Sequence, residues 1–221
     1  HYYTNIKCKI FTRYIMRKEE IENQEHRYLN RSLWANLQSL KSTVSFMQTG
    51  AHPDDETSRL LAKLSLDEGY YVSYVNAVRG QGGQNSIGPE RDDNLGALRT
   101  YELLKAMSVL RVDIGWLANS RNNSIIDFGL SKSAEETFEF WDKKYTIQRM
   151  IRIVRAYKPD IIIPTFLDVE GQHGHHRAVT KATIEAFDNS NDPDIFPDDN
   201  FGPWKISQIF LPAWSGGGGS Y

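Results

Sequence analysis

Short apolar, β-branched runs alternate with longer amphipathic ones along this chain, and that alternation narrows the fold more than any other feature. Residues 44–50 are a short apolar run ending in Gly50. Residues 57–68 carry Leu60, Leu61 and Leu64 at helical spacing and stop at Gly69. Residues 70–78 are β-branched and aromatic, which predicts a second strand. A glycine-rich polar loop over 79–94 leads to a helix over 95–110, with apolar residues at 95, 98, 103, 106, 107 and 110. A strand over 113–117 and a polar stretch over 119–127 follow. Residues 134–157 read as one long helical region, clearest at Ile147, Met150, Ile151 and Val154. Pro159 precedes a buried strand over 160–166, then come a helix over 177–187 and a last strand over 206–212. Such an order predicts an α/β chain: a three-layer, Rossmann-like arrangement with a mostly parallel sheet and helices on both faces. Ligands of these sheets sit beyond the carboxyl ends of the strands, so the exits after Gly50, Val78, Leu117 and Phe166 are the places to search.

Composition removes several classes of function. Lys and Arg total 26 against 28 Asp and Glu, so there is no bulk attraction to nucleic acid or to an anionic membrane surface. Cys8 is the only cysteine, which excludes an intrachain disulfide framework and a thiolate metal cluster. No apolar run approaches the roughly 18 residues of a membrane span. The start lacks a basic–apolar–small signal pattern, so the expected location is cytoplasmic. Three segments are expected. Residues 1–30 form a polar tail whose native start is either where the sequence begins or Met16, residues 31–214 form the folded domain, and residues 215–221 form a glycine-rich linker leading to further chain.

Two strand exits carry metal-type residues. Ala51-His-Pro-Asp-Asp-Glu56 places one histidine and three acids between a strand and a helix. A helix cap would use Asp54 or Asp55, but it needs neither His52 nor the fixed bend of Pro53. Gly171-Gln-His-Gly-His-His176 gathers three of the six histidines into four positions, again after a buried strand. A solvated polar loop is the bland alternative, but clustered histidine and carboxylate are the common ligand types. The clusters lie about 120 residues apart in the chain, yet at equivalent ends of the predicted sheet. Histidine and carboxylate without cysteine suit Zn²⁺, or another borderline divalent ion, in a site with one open position.

The sequence Ala51-His-Pro-Asp-Asp-Glu56 resembles the signature of the PIG-L / LmbE-like zinc deacetylases, and His173-x-x-His176 resembles their second metal motif. The loop Arg79-Gly-Gln-Gly-Gly83 and the pair Arg99-x-x-Glu102 match the same layout, and the likeness covers residues 42–213. It implies an LmbE-like fold and a hydrolase that removes N-acetyl or other N-acyl groups from amino sugars and their conjugates. By the same resemblance, His52, Asp55 and His176 bind the metal and Asp54 is the general base. His173 stabilises the oxyanion, Arg99 and Arg79 face substrate, and Glu102 is an internal partner of Arg99. Many members carry an acid immediately before the last metal histidine. This chain has His175 there, which leaves the choice between His175 and His176 open.

Amide hydrolysis needs the parts these motifs supply: a cation to acidify water and polarise a carbonyl, a carboxylate to move the proton, and a donor for the developing oxyanion. Gly80-Gln-Gly-Gly83 lacks the features of a phosphate loop and reads as an active-site loop. Asp127, Phe128 and Gly129 form a turn expected near the mouth, and Trp116 and Trp141 are either core or sugar-bordering residues. The partner expected is a small N-acylated amino sugar or glycoconjugate, and an oligomer is compatible with this reading. Two rivals remain: a non-catalytic metal- or sugar-binding module, which has no use for the second carboxylate Asp54, and a nucleotide-binding domain, which the missing glycine fingerprint disfavours.

Overall fold

The computed structural model describes residues 37–119, 123–197 and 201–213. The expected tail 1–30 and linker 215–221 lie outside these residues. Five strands form one sheet: β1 (Ser45–Gly50), β2 (Tyr71–Asn76), β3 (Asp113–Trp116), β4 (Ile161–Pro164) and β5 (Gln208–Ile209), in the spatial order β3-β2-β1-β4-β5. Every neighbouring pair is parallel. The helices are α1 (Ser58–Ala62, continued by a π-turn over Lys63–Asp67), α2 (Asp92–Leu110), α3 (Ala134–Trp141), α4 (Lys143–Tyr157) and α5 (Gly174–Asn189). Among the described residues no helix is long and apolar enough to cross a membrane.

A parallel sheet must be covered on both faces, and the two-residue period of the strands divides the core accordingly. Phe46, Val72 and Tyr74 pack with Leu61 of α1 and Leu103 and Met107 of α2. Met47, Val75 and Ile162, which point the other way, pack with Ile151 and Val154 of α4 and Ala178, Val179 and Ala182 of α5. Buried polar groups also tie the layers together. Thr49 of β1 and Thr183 of α5 share a hydrogen bond of 2.8 Å between their hydroxyls. The buried guanidinium of Arg155 donates to the carbonyls of Ser190, Asp192, Ile195 and Phe196, fastening the chain after α5 onto α4.

Several sequence boundaries move, and the last strand, expected over 206–212, shortens to Gln208–Ile209. The region read as one helix over 134–157 is two, broken at Asp142, whose backbone takes φ 59° and whose carboxylate accepts the Tyr145 N–H at 3.2 Å. An N-cap side chain competes with continuation of the helix, and here it wins because Trp141 is fully buried and donates its indole N–H to the Ile126 carbonyl at 2.8 Å. α5 begins at Gly174 rather than 177, so His175 and His176 lie in its first turn. α2 begins three residues early, with Asp92 and Asp93 in its first turn, where acids meet the positive end of the helix dipole.

Candidate active site

The strand order reverses at β1, because β2 flanks it on one side and β4 on the other. The chain leaves β1 for α1, on the face of Leu61, and leaves β4 for α5, on the face of Ala178 and Val179. The two exits therefore diverge and leave a crevice at their carboxyl ends, the ligand position of open α/β sheets. Both histidine motifs converge there.

The loop after β1 is folded by its own carboxylate. Asp55 Oδ2 accepts the N–H groups of Ala51 and His52 at 2.8 and 2.9 Å. That turn forces Asp54 to φ 106°, a conformation costing on the order of 1–3 kcal/mol for a residue with a side chain. The second motif enters through Gly174. A Cβ there would lie 2.3 Å from the Ser131 hydroxyl and 2.5 Å from the Ser133 carbonyl, so only glycine lets α5 start against α3.

Three side chains face one another across the crevice, the two histidines meeting different oxygens of Asp55. His52 Nδ1 lies 3.2 Å from His176 Nε2, His176 Nε2 lies 3.3 Å from Asp55 Oδ1, and His52 Nδ1 lies 3.6 Å from Asp55 Oδ2. A tetrahedral ion bound at 2.0–2.1 Å spaces its ligand atoms about 3.3–3.4 Å apart, so the donor set already has the dimensions of a zinc site. Its protonation fits too. Gln172 Oε1 accepts the His173 backbone N–H at 2.9 Å, which identifies it as the oxygen, and it also accepts His176 Nδ1–H at 2.7 Å. The proton of neutral His176 is thereby fixed on Nδ1, leaving Nε2 bare beside a carboxylate, an arrangement that calls for a cation between them. Burial opposes charge on Asp55, yet the His176 and His52 imidazoles, when they carry protons toward it, hold its carboxyl far below the usual range. Burial also opposes charge on His52, but Asp55 outweighs it and raises the pKa. The Phe166 ring stacks on His176 at 4.0 Å and covers it.

His52, His173 and His175 form a second group close enough to share an ion. The rings of His52 and His173 are stacked, only 29° apart, so their in-plane lone pairs run side by side and do not converge. The rings of His52 and His176 stand at 71°, which lets their lone pairs meet. Ring orientation thus favours the set with Asp55 and His176.

The remaining expected residues surround this triangle. Asp54 pairs with Arg99 at 2.9 Å; Arg99 also donates to the carbonyls of Gly80 and Pro53. Partial desolvation moves the Asp54 pKa up, against the pull of Arg99. Arg99 thus takes Asp54 as its ionic partner, not the expected Glu102, which is exposed. Cβ atoms at Gly80 or Gly83 would meet the Arg99 guanidinium at 2.4 and 2.7 Å, which accounts for the glycines of that loop. Arg79 lies over the Trp116 ring at 3.5 Å. His173 Nε2 is 3.1 Å from the Gly129 carbonyl, and burial, with His52 nearby, lowers its pKa. His175 is wholly buried between Phe128 and Trp141; burial and His52 push its pKa down to about 2. Trp141 is therefore core and does not border a sugar site. The turn at Asp127–Gly129 does reach the site, through the Gly129 carbonyl and through Asp127 Oδ1, 3.9 Å from His175 Nδ1. Sequence reasoning gave no part to Gln172 or Phe166. The four-residue spacing of Gln172 and His176 was a usable signal, whereas nothing local marked Phe166.

Residues 47–187 match the model of the PIG-L family, described as GlcNAc-PI de-N-acetylase. The chain belongs to the PIG-L family. Within it, the chain is 30% identical over 183 residues to a 1D-myo-inositol 2-acetamido-2-deoxy-alpha-D-glucopyranoside deacetylase from Frankia alni, an alignment covering 75% of this chain and 61% of the relative. This PIG-L chain thus spans about three fifths of that relative's length. Among solved structures it resembles an N,N'-diacetylchitobiose deacetylase from Pyrococcus horikoshii, with TM-score 0.58, 22% identity, and coverage of 88% of this chain and 68% of the other. It also resembles GalB, a 4-carboxy-2-hydroxymuconate hydratase from Pseudomonas putida, with TM-score 0.57, 15% identity, and coverage of 76% and 64%. Likeness at these identities shows the fold alone, and a deacetylase and a hydratase on one architecture show that the fold does not choose the reaction.

Proposed function

We propose that this PIG-L-family chain is a zinc-dependent N-deacetylase that removes an acetyl or other acyl group from the nitrogen of an amino sugar or its conjugate. The observation that carries this reading is the triangle of His52, Asp55 and His176 side chains, whose facing nitrogen and oxygen atoms lie 3.2–3.6 Å apart, with a second carboxylate, Asp54, next in the chain and paired with Arg99. The activity for which the Frankia relative is named, deacetylation of a 1D-myo-inositol 2-acetamido-2-deoxy-alpha-D-glucopyranoside, supports the substrate class.

In this mechanism His52, Asp55 and His176 would hold Zn²⁺, and three protein ligands leave the open position of a catalytic site; another borderline divalent ion suits the same donors. Bound there, the ion would supply an acidified water and an electrophilic pull on the substrate carbonyl. Asp54 accepts the proton of the attacking water and passes it to the leaving amine nitrogen. Arg99 pairs with Asp54 and favours its charged form, outside the ligand set. His173, anchored through Nε2 by the Gly129 carbonyl, donates from Nδ1 to the carbonyl oxygen in its doubly protonated form, which the developing negative charge favours. Arg79, spread over Trp116, and Arg99, at the edge of the crevice, are the residues offered to the sugar.

The test measures zinc content together with amine release from N-acetylglucosamine, its inositol conjugate and N,N'-diacetylchitobiose, for the parent and for Asp54→Asn. Amine release by the zinc-loaded parent, lost in Asp54→Asn with zinc retained, is the expected result. Zinc binding without amine release from any substrate would make the chain a binding module. Parent-level hydrolysis by Asp54→Asn would remove Asp54 from the mechanism.

A further inference from the structure

From the contact between the two rings we infer that His175 is a positioning residue for His52: it accepts the Nε2–H of that ring and so fixes the tautomer that presents Nδ1 to the ligand triangle. The inference rests on the metal reading of His52, Asp55 and His176. His52 turns its two nitrogens in different directions. Nδ1 faces His176 at 3.2 Å and Asp55 at 3.6 Å, while Nε2 faces His175 Nδ1 at 3.0 Å. A neutral imidazole carries one proton, so His52 offers a lone pair at Nδ1 only when Nε2 is protonated. The structure supplies the acceptor for that proton in His175 Nδ1. The same logic operates on His176, whose proton is fixed by Gln172 Oε1. Each candidate ligand histidine is therefore oriented through its second nitrogen, and in both cases the acceptor is uncharged.

The surroundings of His175 suit a neutral acceptor. The ring has no solvent exposure. It is clamped between Trp141, stacked at 4.9 Å, and Phe128, edge-on at 4.5 Å. With Nδ1 accepting, its own proton sits on Nε2, which is buried and has no hydrogen-bond partner among the described residues. That unmet N–H makes His175 a weaker anchor than a side chain with no proton to place. The position where the sequence departs from the family pattern thus still orients His52, through an uncharged ring with the Asp127 carboxylate 3.9 Å from its Nδ1.

The test uses the whole chain and two substitutions. His175→Phe keeps a flat ring in the aromatic pocket and removes the acceptor. His175→Asn puts an amide oxygen close to where Nδ1 lies. Zinc affinity is measured by competition with a chelating dye, on protein shown to be folded by circular dichroism. The His52 tautomer is read from two-bond ¹H–¹⁵N correlation spectra of the zinc-loaded parent. The expected results are a proton on His52 Nε2, zinc binding about 10–100-fold weaker in His175→Phe, and recovery to near the parent value in His175→Asn. A proton on Nδ1, parent affinity in His175→Phe, or a folded His175→Asn no better than His175→Phe would overturn the inference. Should His175→Phe fail to fold, the parent spectrum and His175→Asn decide between these outcomes. A parent that binds no zinc at all is a separate result, and it refutes the metal reading itself.

Discussion

Asp54 and Asp55 are neighbours with one charge each, and their surroundings give them different work. Asp55 is enclosed by two backbone N–H groups and two imidazoles, which hold it ionised. Asp54 leaves that enclosure on a strained backbone and meets a single guanidinium. Asp54→Asn is expected to keep fold and zinc while turnover falls by on the order of 10²–10⁴, read from amine release beside elemental analysis. Asp55→Ala is expected to lose zinc and also to destabilise the metal-free protein, because the Ala51 and His52 N–H groups lose their acceptor. At roughly 1–3 kcal/mol, and about 2–4 °C per kcal/mol for a domain of this size, calorimetry should show the melting point fall by several degrees. An unchanged melting point would mean that water replaces the carboxylate freely. Gln172→Leu is expected to weaken zinc binding by about tenfold or more, since His176 is then free to carry its proton on either nitrogen.

Between secondary-structure elements, the approach of α5 to α3 sets the second motif. Gly174 sits where α5 starts, against Ser131, Ser133 and Thr137. A methyl group there must push the helix away, at about 1–3 kcal/mol. The displaced first turn carries His175 and His176. Gly174→Ala is therefore expected to lower the melting point and, unlike an ordinary core substitution, to weaken zinc binding as well. Parent-like zinc affinity in a destabilised Gly174→Ala would show that the turn relaxes without moving His176. The break at Asp142 is a comparable case of side-chain chemistry ending one helix and starting the next. Its carboxylate caps α4 while its backbone sits at φ 59°, so Asp142→Ala loses the cap and Asp142→Gly relieves the strain.

Across the whole domain, the proposed ligands join parts that the sheet separates. His52 and Asp55 follow β1 toward α1, and His176 begins α5, on the opposite face. An ion that links them stabilises the folded chain by mass action, because the unfolded chain holds no such triangle. Zinc at a free concentration 100-fold above its dissociation constant contributes about 2.7 kcal/mol, which is about 5–11 °C in melting point for a domain of this size. Thermal scans with zinc, and then with excess chelator, should show that rise and its reversal, and His176→Ala should show little of either. A melting point indifferent to zinc in the parent would argue against the triangle as the binding site.

Strand and helix periods are local properties, and they were legible. The sheet class, the helices after β1 and β2, and the two histidine motifs at strand exits all follow from spacings of two, three or four residues. The near-coincidence of His52, Asp55 and His176 was legible only as an expectation, drawn from a resemblance and from the rule that strands end on one side of a parallel sheet. What the tertiary structure alone decided depends on contacts between distant segments. Asp54, not Glu102, faces Arg99 because the loop after β1 meets α2 across the sheet edge of the crevice. Asp142 splits a long helical pattern because Trp141 is buried against Ile126. His175, three residues into a polar run, is among the most buried side chains of the molecule because α5 starts early enough to turn it toward Phe128, Trp141 and His52. Periodicity reports which way a side chain points on its own element, whereas its chemistry depends on which other element the fold sets opposite.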